Sequence, residues 1–429
     1  MTPFEDVSFN VAHRRFAITA ACGLLSDGYA LGIIGITLTL AKDPLEISSW
    51  WLGAIGAASL IGLFAGSLVA GTLSDRFGRR PVYIWGMFFS TIIAVMQVFS
   101  ASSAQLFVWR LLLGFALGAD YVASEAMVAE LSPPRKRGLL LSILCVAWTL
   151  GYILAFIAGY LLRNNGPAAW RMALLTCAVP SMIAFILRLG APESPVWLSH
   201  RGYIDKARQT VTKLFGSDVA LPLIGKTEEL VGEPISDLFR HPMYRNTIVG
   251  CLFFTAQVIP GFALGTFAPL VLRTLHVTDE FTGALIYNVV LLVAVVVGML
   301  ICDRVPRRQL LISTFVLVGA LLSVLAFWRS APAAITTAVF AGFAFVMSLA
   351  SVLQVVYPPE LFPTELRGRG LGLVFACSMI GAAVSTFLLP IVVEGFGIYV
   401  ALDAFILISL SAAVVCKLWA PETLGARLV

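Results

Sequence analysis

Charge is what this sequence has least of. Only 12% of its 429 residues are Asp, Glu, Lys or Arg, and 59% are hydrophobic; soluble chains carry about 25% charge and about 45–50% apolar residues. The deficit excludes a soluble globular protein and a disordered one. At a mean hydropathy of +0.92, a water-facing fold of this size would leave large apolar surface exposed. Histidine is scarce as well. His13, His200, His241 and His276 fall in loops or at helix ends, so no histidine relay at mid-membrane is expected. The seven cysteines, at 22, 145, 177, 251, 302, 377 and 416, form no CxxC pair and imply neither a disulfide framework nor a metal site. No Walker motif is present, so ATP drive has no support, and no residue is assigned a catalytic role: the chain is not expected to be an enzyme.

Long apolar runs are abundant. A bilayer crossing needs about 20 mostly apolar residues, and twelve segments qualify. They lie near 15–40, 50–73, 81–100, 104–129, 138–162, 169–190, 246–272, 281–302, 309–328, 333–357, 368–393 and 398–419. The expected architecture is an all-α membrane protein of two six-helix bundles, 1–190 and 246–429. A charged connector at 191–245, with short amphipathic helices, joins them. The first apolar run is full length and lacks a small-residue cleavage site, so no cleavable signal peptide is expected. With the N-terminus placed in the cytoplasm, 23 Lys and Arg fall in inner loops, Arg188 counted among them. Five fall outside and Arg110 lies within a helix. The positive-inside rule then makes both termini cytoplasmic. The net charge of +5 is a topology signal and does not point to nucleic acid.

Three motifs recur in order. Asp75-Arg76-x-x-Arg79-Arg80 returns as Asp303-Arg304-x-x-Arg307-Arg308, Glu130-Leu131-x-Pro133-x-x-x-Arg137-Gly138 as Glu360-Leu361-x-Pro363-x-x-x-Arg367-Gly368, and Pro192-Glu193-Ser194 as Pro421-Glu422-Thr423. The offsets are 228, 230 and 229 residues. Such agreement marks a duplication. Two parallel halves related by an axis along the membrane normal are a repeat pattern of secondary transporters, with the substrate site between the halves near the midplane.

These residues carry a family resemblance. Gly71-Thr72-Leu73-Ser74-Asp75-Arg76-Phe77-Gly78-Arg79-Arg80 resembles the loop 2–3 signature of the major facilitator superfamily. Pro192-Glu193-Ser194-Pro195-Val196-Trp197-Leu198, Glu360 to Gly368 and Pro421-Glu422-Thr423-Leu424-Gly425 resemble signatures of its sugar-porter-like branch. The match spans nearly the whole chain. It implies alternating access with breakable ion pairs at a cytoplasmic gate formed by Asp75, Arg76, Arg79, Glu130, Arg137, Glu193, Asp303, Arg304, Arg307, Glu360, Arg367 and Glu422. By resemblance Glu130 pairs with Arg76 or Arg79, and Glu360 with Arg304 or Arg307. Glu193 pairs with Arg137, Glu422 with Arg367, and Asp75 sits at the N-terminus of helix 11, where the helix dipole favours a carboxylate. Arginine suits such multidentate pairing.

Ionisable groups inside a membrane helix are costly and are functional candidates. Asp27, Arg110, Asp120 and Glu125 stand out, all in the first half. At about 100° per residue, Asp120 and Glu125 are about 140° apart on helix 4. The helix 4 run Arg110-x-x-x-Gly114-x-x-x-Gly118-Ala119-Asp120-Tyr121 resembles proton-coupled phosphate and organic-acid carriers. In sugar-porter symporters an Asp of helix 1 pairs with this helix 4 Arg. Here the Gly-Tyr-Asp pattern reads Gly28-Tyr29-Ala30, and the carboxylate is Asp27, about one turn away. Asp27-Gly28-Tyr29 is more similar to aromatic-acid and metabolite proton symporters. The resemblance implies proton coupling through Asp27 and Asp120; polar glue between packed helices is the competing reading.

Sugar porters bind hydroxyls with several helix 7 amides. Gln257 is retained, but Val258 and Ala263 replace the others, which would leave sugar hydroxyls unpaired. The polar cavity candidates are Tyr121, Tyr152, Gln257, Asn288, Gln354 and Ser378, and Trp148 and Phe254 could frame a flat ring. Arg110, read as the sole intramembrane cation, could neutralise a carboxylate substrate. The expectation is a proton-coupled symporter of a small organic acid, an aromatic one included. An exporter or antiporter of hydrophobic compounds and a sugar:proton symporter are the alternatives. No cofactor beyond the proton and a monomeric state are expected. Gly114/Gly118 and Gly151/Gly159 read as helix-packing features, and Pro180, Pro260, Pro269 and Pro390 as helix interruptions. Arg exceeds Lys by 23 to 6, a bias of GC-rich bacterial genomes, and a bacterial inner membrane is the expected location.

Overall fold

The computed structural model describes residues 7, 9–132, 134–217, 219–221, 235–240, 243–301, 304–362 and 364–423. The chain is nearly all helical. The first half contains α1 (Val11–Ala41), α2 (Ser49–Phe77), α3 (Arg79–Met96), α4 (Ser103–Leu131), α5 (Pro134–Leu162), α6 (Ala169–Thr176) and α7 (Ala178–Arg188). The connector contributes α8 (Pro195–His200) and α9 (Ile204–Phe215). The second half contains α10 (Tyr244–Thr266), α11 (Ala268–Thr274), α12 (Glu280–Ile301), α13 (Arg307–Phe327), α14 (Ala333–Leu361), α15 (Thr364–Phe396) and α16 (Ile398–Trp419). Twelve helical spans among the described residues are long and apolar enough to cross a bilayer. The chain is a multi-pass membrane protein.

Local sequence explains the boundaries. Ser102 caps α4 by accepting from the Gln105 N–H, while the Gln105 side chain accepts from the Ala101 N–H. Ser194 caps α8, with Pro195 in its first turn. In α9 the buried positions Ala207 and Val211 are four apart on one face, as expected of an amphipathic connector helix. Leu214 and Phe215 at its end pack against the buried cluster that includes Phe16, Tyr83 and Met127.

Two of the four prolines, Pro260 and Pro390, depart from expectation. α10 runs through Pro260 and α15 through Pro390 without ending. The seventh span breaks instead at Phe267, and Pro269 opens α11, where its missing N–H is not needed. The sixth span also breaks, at Cys177, with Pro180 in the first turn of α7. A membrane helix tolerates an internal proline because its neighbours satisfy the freed carbonyl.

The duplication reappears in the packing. α3 packs on α4 and α7, and α13 packs on α14 and α16. α1 crosses α5 so closely that a Cβ on Gly28 would overlap the Trp148 carbonyl oxygen, and one on Gly151 the Leu25 carbonyl oxygen. The corresponding α10 and α15 also pack together. α2 meets α4 at Gly62, Gly66 and Gly118, as α12 meets α14. Small residues let the backbones approach without a hydrophobic driving force.

By packing, the described helices fall into two compact units that do not follow the halves. One takes the described residues within 1–33, 61–158 and 171–228; the other takes those within 34–60, 159–170 and 229–429. In the second unit, Gly35 lies against the Thr266 carbonyl and Gly53 against the Phe387 carbonyl. Trp50 meets Phe387 edge-on at 5.9 Å, and Tyr160 and Thr282 share a 3.2 Å hydrogen bond. All of these contacts lie at the helix ends opposite the duplicated motifs.

Candidate functional site

In the first unit, α1, α4 and α5 pack through Ala20, Leu24, Val128, Leu140 and Leu144. That packing fixes the faces of α1 and α4 that carry Asp27 and Asp120. Asp120 is 0% exposed and forms an ion pair with Arg188 of α7, also 0% exposed. The guanidinium donates twice to this carboxylate. It donates further to Ser124 Oγ at 3.0 Å, the Tyr83 carbonyl at 2.9 Å and the Thr19 carbonyl at 3.3 Å. It also lies 3.8 Å from the Tyr83 ring centroid. Asp27 is 1% exposed; neither of its carboxylate oxygens accepts from an N–H or a hydroxyl, and the Asp120 carboxyl lies within hydrogen-bonding reach. Asp120 and Arg188 are the charged groups that act on it.

Arg188 corrects two sequence expectations. It is not a loop charge, and Arg110 is not the sole cation within the helices. The signal was present in α7, whose buried face reads Ser181, Ala184, Arg188: a helical stripe of small and polar residues that ends in the cation. Arg110 does not supply the partner either. It is 0% exposed, and its Nη1 donates to the Ala30 carbonyl at 2.7 Å. Sealed there, it is not placed to neutralise a substrate carboxylate. Glu125 lies on an exposed face of α4, hydrogen-bonded to the half-buried Tyr121 one turn earlier. Cys145 of α5 stands near it.

The substrate candidates do not form one set. Trp148 and Tyr152 stack at 5.6 Å on α5, and Tyr152 is buried. In the second half, Asn288 donates to the Ala284 carbonyl and Ser378 to the Phe375 carbonyl, so both are turned back onto their own helices. Gln257 is buried and reaches the Met347 carbonyl at 3.5 Å. Gln354 and Phe254 are half-buried, and Phe254 stacks on Phe253 at 5.9 Å.

At the motif end the two halves build the same lock. Arg79 Nε donates to Glu130 at 3.1 Å, and its Nη1 bonds Ser74 and Asp75. Ser194 Oγ donates to the other Glu130 oxygen. In the second half Arg307 Nε lies 3.7 Å from Glu360, and Thr423 Oγ donates to that carboxylate. Arg79 and Arg307 are thus the pairing arginines. Arg76 and Arg304 are exposed, and Arg76 lies over the Phe77 ring.

Glu193 and Glu422 act as remote helix caps. Gly78 precedes α3 with a φ of 107° and offers no side-chain cap. Glu193 instead accepts from the backbone N–H groups of Arg79 at 2.9 Å and Arg80 at 3.1 Å. Glu422 accepts from the N–H groups of Arg307 and Arg308 at 2.9 and 3.1 Å. A carboxylate at a helix N-terminus satisfies orphan donors and complements the dipole. Burial pushes the Glu193 carboxyl above its ordinary value, opposed by the N–H groups of Ser194, Arg80 and Arg79. The expected partners Arg137 and Arg367, and Asp303, lie outside the described side chains. The Asp75 carboxylate pairs with Arg79 one turn away on its own segment. Among the described residues no cluster of His, Cys, Asp and Glu could hold a metal ion.

The comparisons with known proteins agree with this geometry. Residues 16–429 match the family model described as sugar (and other) transporter. The inner membrane metabolite transport protein YgcS of Escherichia coli is 36% identical over 99% of this chain and 95% of its own. The arabinose-proton symporter of Bacillus subtilis is 27% identical over 95% of this chain and 92% of its own. The partially occluded inward-open structure of the Escherichia coli xylose transporter XylE superposes with a TM-score of 0.81 at 21% identity, over 98% of this chain and all of that one. With its duplicated locks, twelve spans and full-length match, the chain belongs to the sugar (and other) transporter family of the major facilitator superfamily, and is a transporter, not an enzyme.

Proposed function

We propose that the chain is an alternating-access symporter that couples proton entry to the uptake of a small, uncharged, hydroxylated metabolite. It would work as a monomer with the motif end and both termini in the cytoplasm. One observation carries the proton half: a buried carboxylate, Asp27, that meets no N–H or hydroxyl donor and faces a second carboxyl, Asp120, in a span where an ionised group is costly. Protonation on one side and release on the other is the switch a symporter needs. The substrate half rests on charge. Arg188 is engaged by Asp120 and Arg110 is sealed, so neither intramembrane cation is placed to balance a substrate carboxylate. The arabinose-proton symporter among the relatives supports a polyhydroxylated substrate.

A small organic acid is the second reading, favoured by Val258 and Ala263, where sugar porters carry amides, and by the stacked Trp148 and Tyr152. Counterflow and pH-jump uptake in proteoliposomes, across pentoses, inositols and aromatic and aliphatic acids, tests both. Uptake of a neutral polyol driven by an inward proton gradient supports the proposal. Selective uptake of an acid supports the second reading, and proton-driven extrusion overturns both.

A further inference from the structure

Two carboxylates and one guanidinium share the buried cluster, and the guanidinium is not shared evenly. Arg188 directs both terminal nitrogens to Asp120, and its remaining donors are held by Thr19, Tyr83 and Ser124. It occupies the space that a side chain at residue 23 would fill: a Cβ on Gly23 would overlap Arg188 Nη2 and come within 2.8 Å of Asp120 Oδ2. Gly23 is one turn before Asp27 on the same helix face. The guanidinium is therefore wedged between α1 and α4, on the Asp120 side of Asp27.

We propose that Arg188, seated in the slot left by Gly23, is a fixed counterion that removes Asp120 from proton exchange, so that Asp27 alone carries the coupling proton. The proposal rests on the proton-symport reading and sharpens it: the counterion sits on α7, not at the helix 4 arginine. Electroneutrality gives the stoichiometry. With both acids ionised the cluster carries one net negative charge in a dry site, which is costly. One proton on Asp27 cancels it. That proton adds to an Asp27 oxygen from water on one side, and the same O–H bond breaks to release it on the other. Tyr121 on α4 is the other titratable group that acts on Asp27; Glu125 stands beside Tyr121, Cys145 on α5 beside Glu125, and Tyr83 on α3 and Cys22 on α1 beside Arg188. None of them is a cation. Arg188 is thus a positioning residue, and its role is to decide which acid titrates.

The test uses the full-length protein in proteoliposomes, with Asp27→Asn, Asp120→Asn and the double variant Asp120→Asn/Arg188→Gln. The double variant removes both charges of the pair and leaves no buried ion unpaired. Asp27→Asn is expected to keep counterflow and lose proton-driven accumulation. Asp120→Asn leaves Arg188 unpaired beside Asp27 and should move the pH profile of uptake about one to three units acidic. The double variant should restore the wild-type profile. Infrared difference spectra give a readout independent of flux. A protonated-carboxyl band that titrates in wild type should vanish in Asp27→Asn and persist in the double variant. A band that vanishes in the double variant and persists in Asp27→Asn overturns the proposal. So does a double variant that keeps counterflow but not accumulation. Absence of proton-driven uptake in wild type, with the Asp27 band intact, rejects the symport reading and leaves the assignment of the titrating acid standing.

Discussion

The hydroxyl of Ser194 donates to the Glu130 carboxylate, and 229 residues later Thr423 does the same to Glu360. The repeat itself shows that a β-methyl is accommodated at this position. Ser194→Thr is therefore expected to leave the thermal stability of the detergent-purified protein unchanged. Ser194→Ala removes a hydrogen bond to a charged group and should cost about 1.5–3 kcal/mol. Equal melting temperatures for the two variants would reject the assigned contact.

Arg79 and Arg76 are three residues apart in one basic run, yet only Arg79 reaches Glu130, Ser74 and Asp75 together. A lysine cannot span three acceptors with a planar fork. Arg79→Lys should lower the uptake rate about tenfold, the equivalent of about 1.4 kcal/mol. Arg76→Lys should stay within about twofold of wild type. Similar rates for both would reduce the motif to a positive charge.

Gly53 lies against the Phe387 carbonyl, with no room for a side chain. Gly53→Trp should prevent closure of the end opposite the motifs. Substrate binding, measured by calorimetry, should persist while counterflow is lost. Normal counterflow would mean that this contact is not part of the transport cycle.

Glycines on crowded and open faces should respond oppositely to alanine. Gly23→Ala overlaps the Arg188 guanidinium and should cost about 1–3 kcal/mol of stability. Gly71→Ala meets nothing within 4 Å in the interior of α2, where replacing Gly with Ala should add about 0.4–1 kcal/mol. Thermal melts of both variants check the sign.

Glu193 should leave a pH signature. Burial raises its carboxyl in the folded protein, so the native state holds this proton more tightly than the unfolded chain. The resulting stabilisation is present at low pH and lost as pH rises through the raised value. Glu193→Gln keeps an acceptor for the Arg79 and Arg80 N–H groups but cannot titrate. The stability of wild type relative to this variant should therefore grow as pH falls from 7 toward 4.5. A pH-independent difference would contradict the burial effect.

The membrane architecture was legible because lipid enforces it. Each crossing needs its own apolar run, and the duplicated motifs announced the locks and their arginines. Arg188 was misread for a related reason. A cation at the end of an apolar run near other basic residues looks like a loop marker, and nothing local reveals that Asp120, 68 residues earlier, turns toward it. The cap formed by Glu193 was not legible because a carboxylate near arginines suggests side-chain pairing, and no local pattern announces that the orphan N–H groups of α3 bind it. Pro260 and Pro390 failed as helix breakers because local propensity yields to neighbouring helices in a bilayer.

The division into packing units sets an order of assembly. Arg79, Glu130, Glu193 and Ser194, which build the first lock, all precede residue 195. That lock can close while the second half is still being synthesised. The opposite end of α2 cannot, since Gly53 awaits Phe387, and nor can the adjacent end of α1, since Gly35 awaits Thr266. During biogenesis α2 therefore enters the membrane fastened at one end and unfinished at the other, and the apolar faces around Gly53 depend on lipid or insertion machinery for cover until α15 arrives.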